Sequence, residues 1–397
     1  MHSTLPMPGQ PQYKTLLQTS PELAARVRTL KPYDAVSSRE KIDRNPSIQH
    51  HKLDWNESTI QPSPKVHAAI ARYITEGGEL HWYPDLFHTP LYDRLAGYTG
   101  SRVTRMLVTN GSDAALELLA QSYLNADDNV VFPVPTYNHF VQFAELTGAE
   151  LRGIKCSDPF VPTLVELERH IDARTKILYL VNPNNPTGNV YDPEEVLALA
   201  LRHPSILVIS DEAYFEFSGV SCMDMVDRAP NIVVTRSFSK AFSLASVRIG
   251  YMVAQEGIIN DLRRVYNPKS VNMLAQIAAT AALDDLPYYA AYVAEVKRSA
   301  ALVVNFCRRL HIPCRTAHAN WIMMEFRDAP EMARKMAEAG IHVRDRSSQL
   351  PNVLRMSLGT EAQTVEVLAR IERILEADKH RPHMMTTRPA SNATASV

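Results

Sequence analysis

Residues 176–188 read KILYLVNPNNPTG: an apolar run from Lys176 to Val181 that breaks into Asn182-Pro183-Asn184-Asn185-Pro186-Thr187-Gly188. An uninterrupted apolar run of strand length suits a strand buried on both faces, as in a parallel sheet, and the prolines and asparagines beyond it enforce a turn. The pattern recurs twice. Ile206–Ser210 runs into Asp211-Glu212-Ala213-Tyr214, and Ile232–Arg236 runs into Ser237-Phe238-Ser239-Lys240. Asn185, Asp211 and Ser237 follow one another at steps of 26 residues, about the length of one strand-plus-helix unit. Ligands of open α/β sheets lie beyond the carboxyl ends of the strands, so three neighbouring strands are expected to deliver these polar side chains to one rim.

Working outward, Met106–Thr109, Asn129–Phe132 and Ile249–Val253 are further strand candidates. Helix-period stretches alternate with them; in Asp113–Leu124 the residues Leu116, Leu119, Ala120 and Tyr123 share one face. The fold class is α/β, with a mainly parallel sheet flanked by helices. After residue 287 the texture changes to a long helical stretch, a short strand NWIMMEF and a terminal helix TEAQTVEVLARIERILEA. The expected organisation is a large domain over residues 61–286 and a smaller α+β domain from 22–60 and 287–378. Flexible segments are expected at 1–21 and 379–397, where no apolar period is present.

The 397 residues are 45% hydrophobic and 21% charged, with a formal net charge of -1, which excludes a global attraction to nucleic acid and favours small, locally recognised ligands. Four cysteines without a CxxC pair fit a reducing compartment rather than a disulfide scaffold. The amino-terminal stretch lacks the apolar core of a signal peptide, and no apolar run approaches membrane-spanning length, so a cytoplasmic protein is expected. The histidines show no metal-ligand spacing, and no metal is expected.

Gly111-Ser112-Asp113 stands between a strand and a helix, where free backbone N–H groups and the helix dipole attract phosphate. Arg248, eight residues after Lys240, can supply a bidentate partner for the same anion. Lys240 is the candidate covalent centre: an amine near a cation and partly desolvated loses its proton more readily and can condense with an aldehyde. An aldehyde cofactor that also carries a phosphate and a pyridine nitrogen needs an anion site, a lysine and a carboxylate, and Asp211 supplies the last.

The set Asn185-Pro186-Thr187-Gly188, Asp211-x-x-Tyr214, Ser237-x-x-Lys240 and Arg248 resembles the fold type I pyridoxal-phosphate aminotransferases. LKPYDAV at 30–36, LDWNES at 53–58, WYPD at 82–85, RSFSKAFSLASVRIGY, GIHVRDRS and LRMSLGT place it nearest the histidinol-phosphate aminotransferase subgroup. The resemblance covers about residues 30–376 and implies a seven-stranded-type sheet, pyridoxal 5'-phosphate as cofactor, and a homodimer with composite sites acting on small amino and oxo acids. It implies that Lys240 bonds the cofactor's aldehyde and, once displaced by substrate, moves a proton. Asp211 faces the ring nitrogen, Asn185 and Tyr214 face the ring's phenolic oxygen, and Tyr137 stacks on the ring. Ser112, Asp113, Ser237 and Arg248 hold the phosphate, joined by Tyr83 from the neighbouring subunit. Arg355 and Arg344 match anion-binding arginines, and Asn56 and Tyr33 match positions near the substrate.

The chain departs from the subgroup where LDWNEST lacks a proline after Asn56-Glu57 and where Ser246 replaces a glycine. The cofactor chemistry is untouched by these changes, but the substrate stays open: a glutamate-like donor with an oxo acid or phosphorylated oxo compound. The alternatives are a decarboxylase or synthase of the threonine-phosphate decarboxylase type and, more remotely, a non-catalytic cofactor-binding sensor. Ser237-x-x-Lys240 also fits the serine nucleophile motif of penicillin-recognising enzymes, but the Lys-Thr-Gly those enzymes need is absent.

Overall fold

The computed structural model describes residues 22–28 and 47–379; Tyr33 and the segments 1–21 and 380–397 lie outside the described residues. The strands in chain order are β1 (His51–Lys52), β2 (Met106–Thr109), β3 (Asn129–Val134), β4 (Glu150–Lys155), β5 (Thr175–Val181), β6 (Leu207–Asp211), β7 (Ile232–Ser237), β8 (Gly250–Val253), β9 (Cys314–Thr316), β10 (Trp321–Glu325), β11 (Ile341–His342), β12 (Arg344–Asp345) and β13 (Val353–Ser357). Seven form one sheet in the order β2-β8-β7-β6-β5-β3-β4, in which only β8 runs against its neighbours. The expected α/β class and mainly parallel sheet are therefore present.

Both faces of this sheet are dry. Along β5, Ile177, Tyr179 and Val181 join one apolar cluster while Leu178 and Leu180 join another, the period-2 alternation of a strand covered on both sides. Helices Gly111–Tyr123, Asn138–Thr147 and Glu256–Leu262 bury residues in the first cluster, and Thr89–Thr99, Pro193–Arg202 and Met273–Leu283 in the second. The sequence reading omitted β4, and the reason is its position. An edge strand needs no apolar run, and Glu150–Lys155 is half-buried at most, its Arg152 ion-paired to Glu150 and Asp172.

The carboxyl-terminal part builds an antiparallel sheet, β12-β13-β10-β9, with helices Leu286–Arg309, Ala329–Glu338 and Glu361–Lys379, while β1 pairs with β11 in parallel. Trp321 anchors it to the large sheet. Its buried indole N–H donates to the Pro186 carbonyl at 2.9 Å, and its ring meets Tyr214 edge-on at 4.6 Å between centroids. Among the described residues no helix is long and apolar enough to cross a membrane.

The reversed β8 brings Gly250 under the start of helix Gly111–Tyr123. A Cβ there would lie 2.6 Å from the Ser112 amide nitrogen and 2.7 Å from the Arg236 carbonyl oxygen, both backbone atoms that have no rotamer to yield. Gly250→Ala is expected to lower stability by about 1–3 kcal/mol and to weaken phosphate binding at that helix end. Denaturant unfolding and phosphate titration of the variant check both effects.

Candidate active site

The three rim positions meet as expected: β5, β6 and β7 are neighbours, and Asn185, Asp211 and Ser237 line one cavity of about 520 Å³. Ser112, Asp113, Tyr137, Tyr214, Lys240, Arg248, Arg344 and Arg355 line it too. The loop after β5 is braced from within. Asn184 accepts from Thr136 Oγ1 at 2.8 Å and donates to the Pro135 carbonyl and Thr187 Oγ1, while Asn182–Pro183 and Asn185–Pro186 are cis.

At one end lies an anion cup. Gly111 opens a 13-residue helix with φ +80°, a left-handed conformation that favours glycine, and the Arg248 guanidinium packs beside this helix start, its Nη2 2.6 Å from where a Cβ would stand. Arg248 donates to Ser239 Oγ at 3.3 Å, the Ala245 carbonyl at 3.0 Å and Asp113 Oδ2 at 3.3 Å. Tyr137 donates its hydroxyl to Asp113 Oδ1 at 2.8 Å. Burial alone would raise the Asp113 carboxyl, but hydrogen bonds from His139 and Tyr137 and the Arg248 charge hold it below the ordinary range.

Asp211, buried at 2% exposure, accepts from Tyr179 Oη at 3.0 Å and Thr235 Oγ1 at 3.1 Å. Burial pushes its carboxyl up to about 6, against the pull of those two bonds. Lys240 Nζ donates to the Trp55 carbonyl at 3.0 Å and lies 5.7 Å from the Tyr214 ring centroid. The Tyr214 hydroxyl accepts from Asn56 Nδ2 at 3.2 Å. Asn56 is fully buried behind that tyrosine, with Ser357 Oγ donating to its amide oxygen, and does not line the cavity.

The opposite wall is cationic. The β12–β13 register sets Arg344 directly across from Arg355, so both side chains leave the same face of the sheet. Arg355, 3% exposed, donates from Nη1 to Asn185 Oδ1 at 2.5 Å and from Nη2 to the Asp54 carbonyl at 2.6 Å. Arg346 also lines the cavity and reaches the same Asn185 oxygen at 3.4 Å.

Residues 50–371 match the family described as Aminotransferase class I and II. The chain belongs to this family. It is 36% identical over 353 residues to the dihydroxyacetone phosphate transaminase of Campylobacter jejuni, covering 87% of this chain and 95% of that one. It is 31% identical to the histidinol-phosphate aminotransferase of Bacillus subtilis, with 87% and 96% covered. The solved histidinol-phosphate aminotransferase of Sinorhizobium meliloti, in complex with pyridoxal-5'-phosphate, shares the fold with a TM-score of 0.81 at 22% identity, covering 91% and 99%. The protein is thus a pyridoxal-phosphate-dependent aminotransferase.

The residues suit that cofactor. A buried carboxylate facing the cavity without a cation is costly, and a protonated ring nitrogen is the charge that offsets it. The glycine-lined helix start with Arg248 suits a phosphate, and Lys240 stands in the same cavity. Of the described positions singled out in the aminotransferase sequence, Asn56 and Tyr83 do not line the cavity: Asn56 is buried behind Tyr214, and Tyr83 is 75% exposed beside Lys269. Lining groups not singled out from the sequence include Trp55, His139, Ser239 and Arg346. Ser239 and Arg346 lie just beyond the ends of β7 and β12, so no strand period marks them.

Asp211 sets a pH signature. Its proton is held more tightly in the folded protein, so without cofactor the ionised carboxylate lowers stability progressively from pH about 4 to about 6 and by a constant amount above. Cofactor-free Asp211→Asn is expected to be more stable than the parent at pH 8, by on the order of 3 kcal/mol at most, with the advantage gone at pH 4. Unfolding at the two pH values, alongside lost cofactor binding, tests this.

Proposed function

We propose that this aminotransferase moves an amino group between a glutamate-like donor and an oxo compound bearing a phosphate ester on the carbon next to the carbonyl. The observation that carries the reading is the arginine wall: Arg344, Arg346 and Arg355 face the cavity that holds Lys240, on elements separate from the Arg248 cup. A phosphorylated cofactor and an anionic substrate need two distinct cationic stations. The compounds named for the Campylobacter and Bacillus relatives both place a phosphate ester one carbon from the oxo or amino carbon.

In this reading the small and large domains, 22–60 with 287–378 and 61–286, supply the substrate wall and the cofactor bed respectively. Pyridoxal phosphate, when bound, supplies an electrophilic carbonyl and an electron-withdrawing ring. Asp211 would pair with the ring nitrogen, Asn185 and Tyr214 would hold the phenolic oxygen, and Tyr137 would cover the ring. Ser112, Asp113, Ser237 and Arg248 hold its phosphate. Lys240 Nζ would hold the cofactor's carbonyl carbon at rest and, once the substrate's amine has displaced it, would be free to move a proton at the substrate's α-carbon, from a position beside the Trp55 carbonyl and the Tyr214 ring. Arg355 and Arg344 grip the substrate anion. Asn56 serves by fixing Tyr214.

The test is a half-reaction: purified enzyme and glutamate without acceptor should release one 2-oxoglutarate per site, and a phosphorylated ketone should then restore the capacity. Release from no amino acid offered would favour a decarboxylase or synthase instead. Lys240→Ala should abolish release with the fold intact. Arg355→Ala should mainly raise KM, and Arg344→Ala should harm phosphorylated acceptors more than plain oxo acids.

We further propose a two-fold dimer in which Tyr83 completes the partner's phosphate cup. Tyr83 stands with exposed Leu80, Trp82 and Phe87, an apolar patch of the kind that marks an interface. Mixed subunits of Lys240→Ala and Tyr83→Ala, each impaired alone, should regain activity through the one whole site per heterodimer. Absence of recovery would remove the composite arrangement.

A further inference from the structure

Residues 54–56 touch the site at three consecutive positions. The Asp54 carbonyl accepts from Arg355 Nη2 at 2.6 Å, the Trp55 carbonyl accepts from Lys240 Nζ at 3.0 Å, and the Asn56 side-chain amide donates to the Tyr214 hydroxyl at 3.2 Å. Each peptide unit is planar, so neighbouring carbonyls turn only with the few dihedrals between them and cannot be re-aimed independently. The aim of this loop therefore sets where the amine and the buried guanidinium rest.

Asn56 stands at φ +54°, in the left-handed region that side chains rarely adopt and that surrounding structure must hold. The flanks are tied by strand neighbours. The Leu53 amide donates to the His342 carbonyl at 2.8 Å, the Ser357 amide to the Leu53 carbonyl at 2.9 Å, and the Asn56 amide to Ser357 Oγ at 3.0 Å. Across the middle of the loop reaches the side chain of Lys52. Its Nζ donates to Asp54 Oδ1 at 3.2 Å and to Glu57 Oε2, and lies 4.2 Å from the Trp55 ring centroid. One ammonium thus meets the residues at 54, 55 and 57. The Asp54 side chain is fully buried, and a carboxylate in that setting demands a cation at close range. Lys52 itself is fixed at its base, on β1 opposite His342 of β11.

We propose that Lys52 is a positioning residue for the reaction: its ammonium clasps Asp54, Trp55 and Glu57 and so aims the two carbonyls that hold Arg355 and Lys240. This rests on the reading above, that those two residues grip the substrate anion and move the proton. Lys52 acts through the loop and touches neither of them.

Two measurements test the clasp. In enzyme freed of cofactor, hydrogen–deuterium exchange of a peptide spanning 53–58 should run about tenfold or more faster in K52M, with the peptides of β5, β6 and β7 unchanged. In the loaded enzyme, single-turnover release of 2-oxoglutarate from glutamate should slow by about tenfold or more per bound cofactor, because the amine and the guanidinium are both misplaced. K52R keeps a cation with donors for both carboxylates and should recover most of that rate. If K52M does not fold, E57Q, which leaves the Asp54 pair in place, should show both effects at about threefold, the scale of a partly exposed ion pair. Unchanged exchange would overturn the proposal, and so would a loss of stability with the rate per site within about twofold of the parent. A parent that releases nothing from any amino acid while K52M still quickens exchange at 53–58 would overturn the reading above and leave the clasp standing.

Discussion

One guanidinium ties the site together. Arg355 bonds Asn185 after β5, the Asp54 carbonyl after β1, and stands on β13, so residues from the beginning, middle and end of the chain share a single planar group. Each of its bonds is charge-assisted and buried, where losing a partner leaves an uncompensated cation in a dry wall. The geometry of cavity, loop and small sheet is therefore over-determined at this point, and Trp321 repeats the constraint a few ångströms away through Pro186.

A second buried charge network supports the bed from beneath. Glu212 and Arg236, next in sequence to Asp211 and Ser237, pair at 3.0 Å with neither side chain more than 3% exposed. The Ser210 and Ser221 hydroxyls and the Cys222 amide also donate to Glu212, and the Arg236 guanidinium lies 3.6 Å from the Phe215 ring centroid. Full satisfaction rigidifies such a network. The carboxyl ends of β6 and β7 are held in place by residues that point away from the chemistry, while their neighbours point into it.

The chain order displays the bed plainly and the wall poorly. Asn185, Asp211 and Ser237 end consecutive strands of a dry parallel sheet, so spacing and apolar runs alone placed them together. The edge strand β4 left no such trace because half its surface is wet. Arg346 was passed over because β12 is two residues long and pairs with a strand outside the parallel sheet, too short for any period to show. Asn56 matched a substrate position, yet its amide is consumed by Tyr214 and Ser357, the latter 301 residues away, and no local pattern foretells such a contact.

The reversed strand β8 has a mechanical consequence. Ser237 and Gly250 are direct cross-strand partners, so the stretch 238–249, which holds both Lys240 and Arg248, leaves and re-enters the sheet at the same rung. It is a loop pinned at both ends by one ladder step, with the Phe238 amide bonded to the Ile249 carbonyl and the Leu244 amide to the Phe238 carbonyl as internal ties. Such a loop has little freedom to bend as a body. The travel that a proton-carrying amine needs must come from the four-carbon stem of the lysine itself, a tethered arm turning on a fixed pivot.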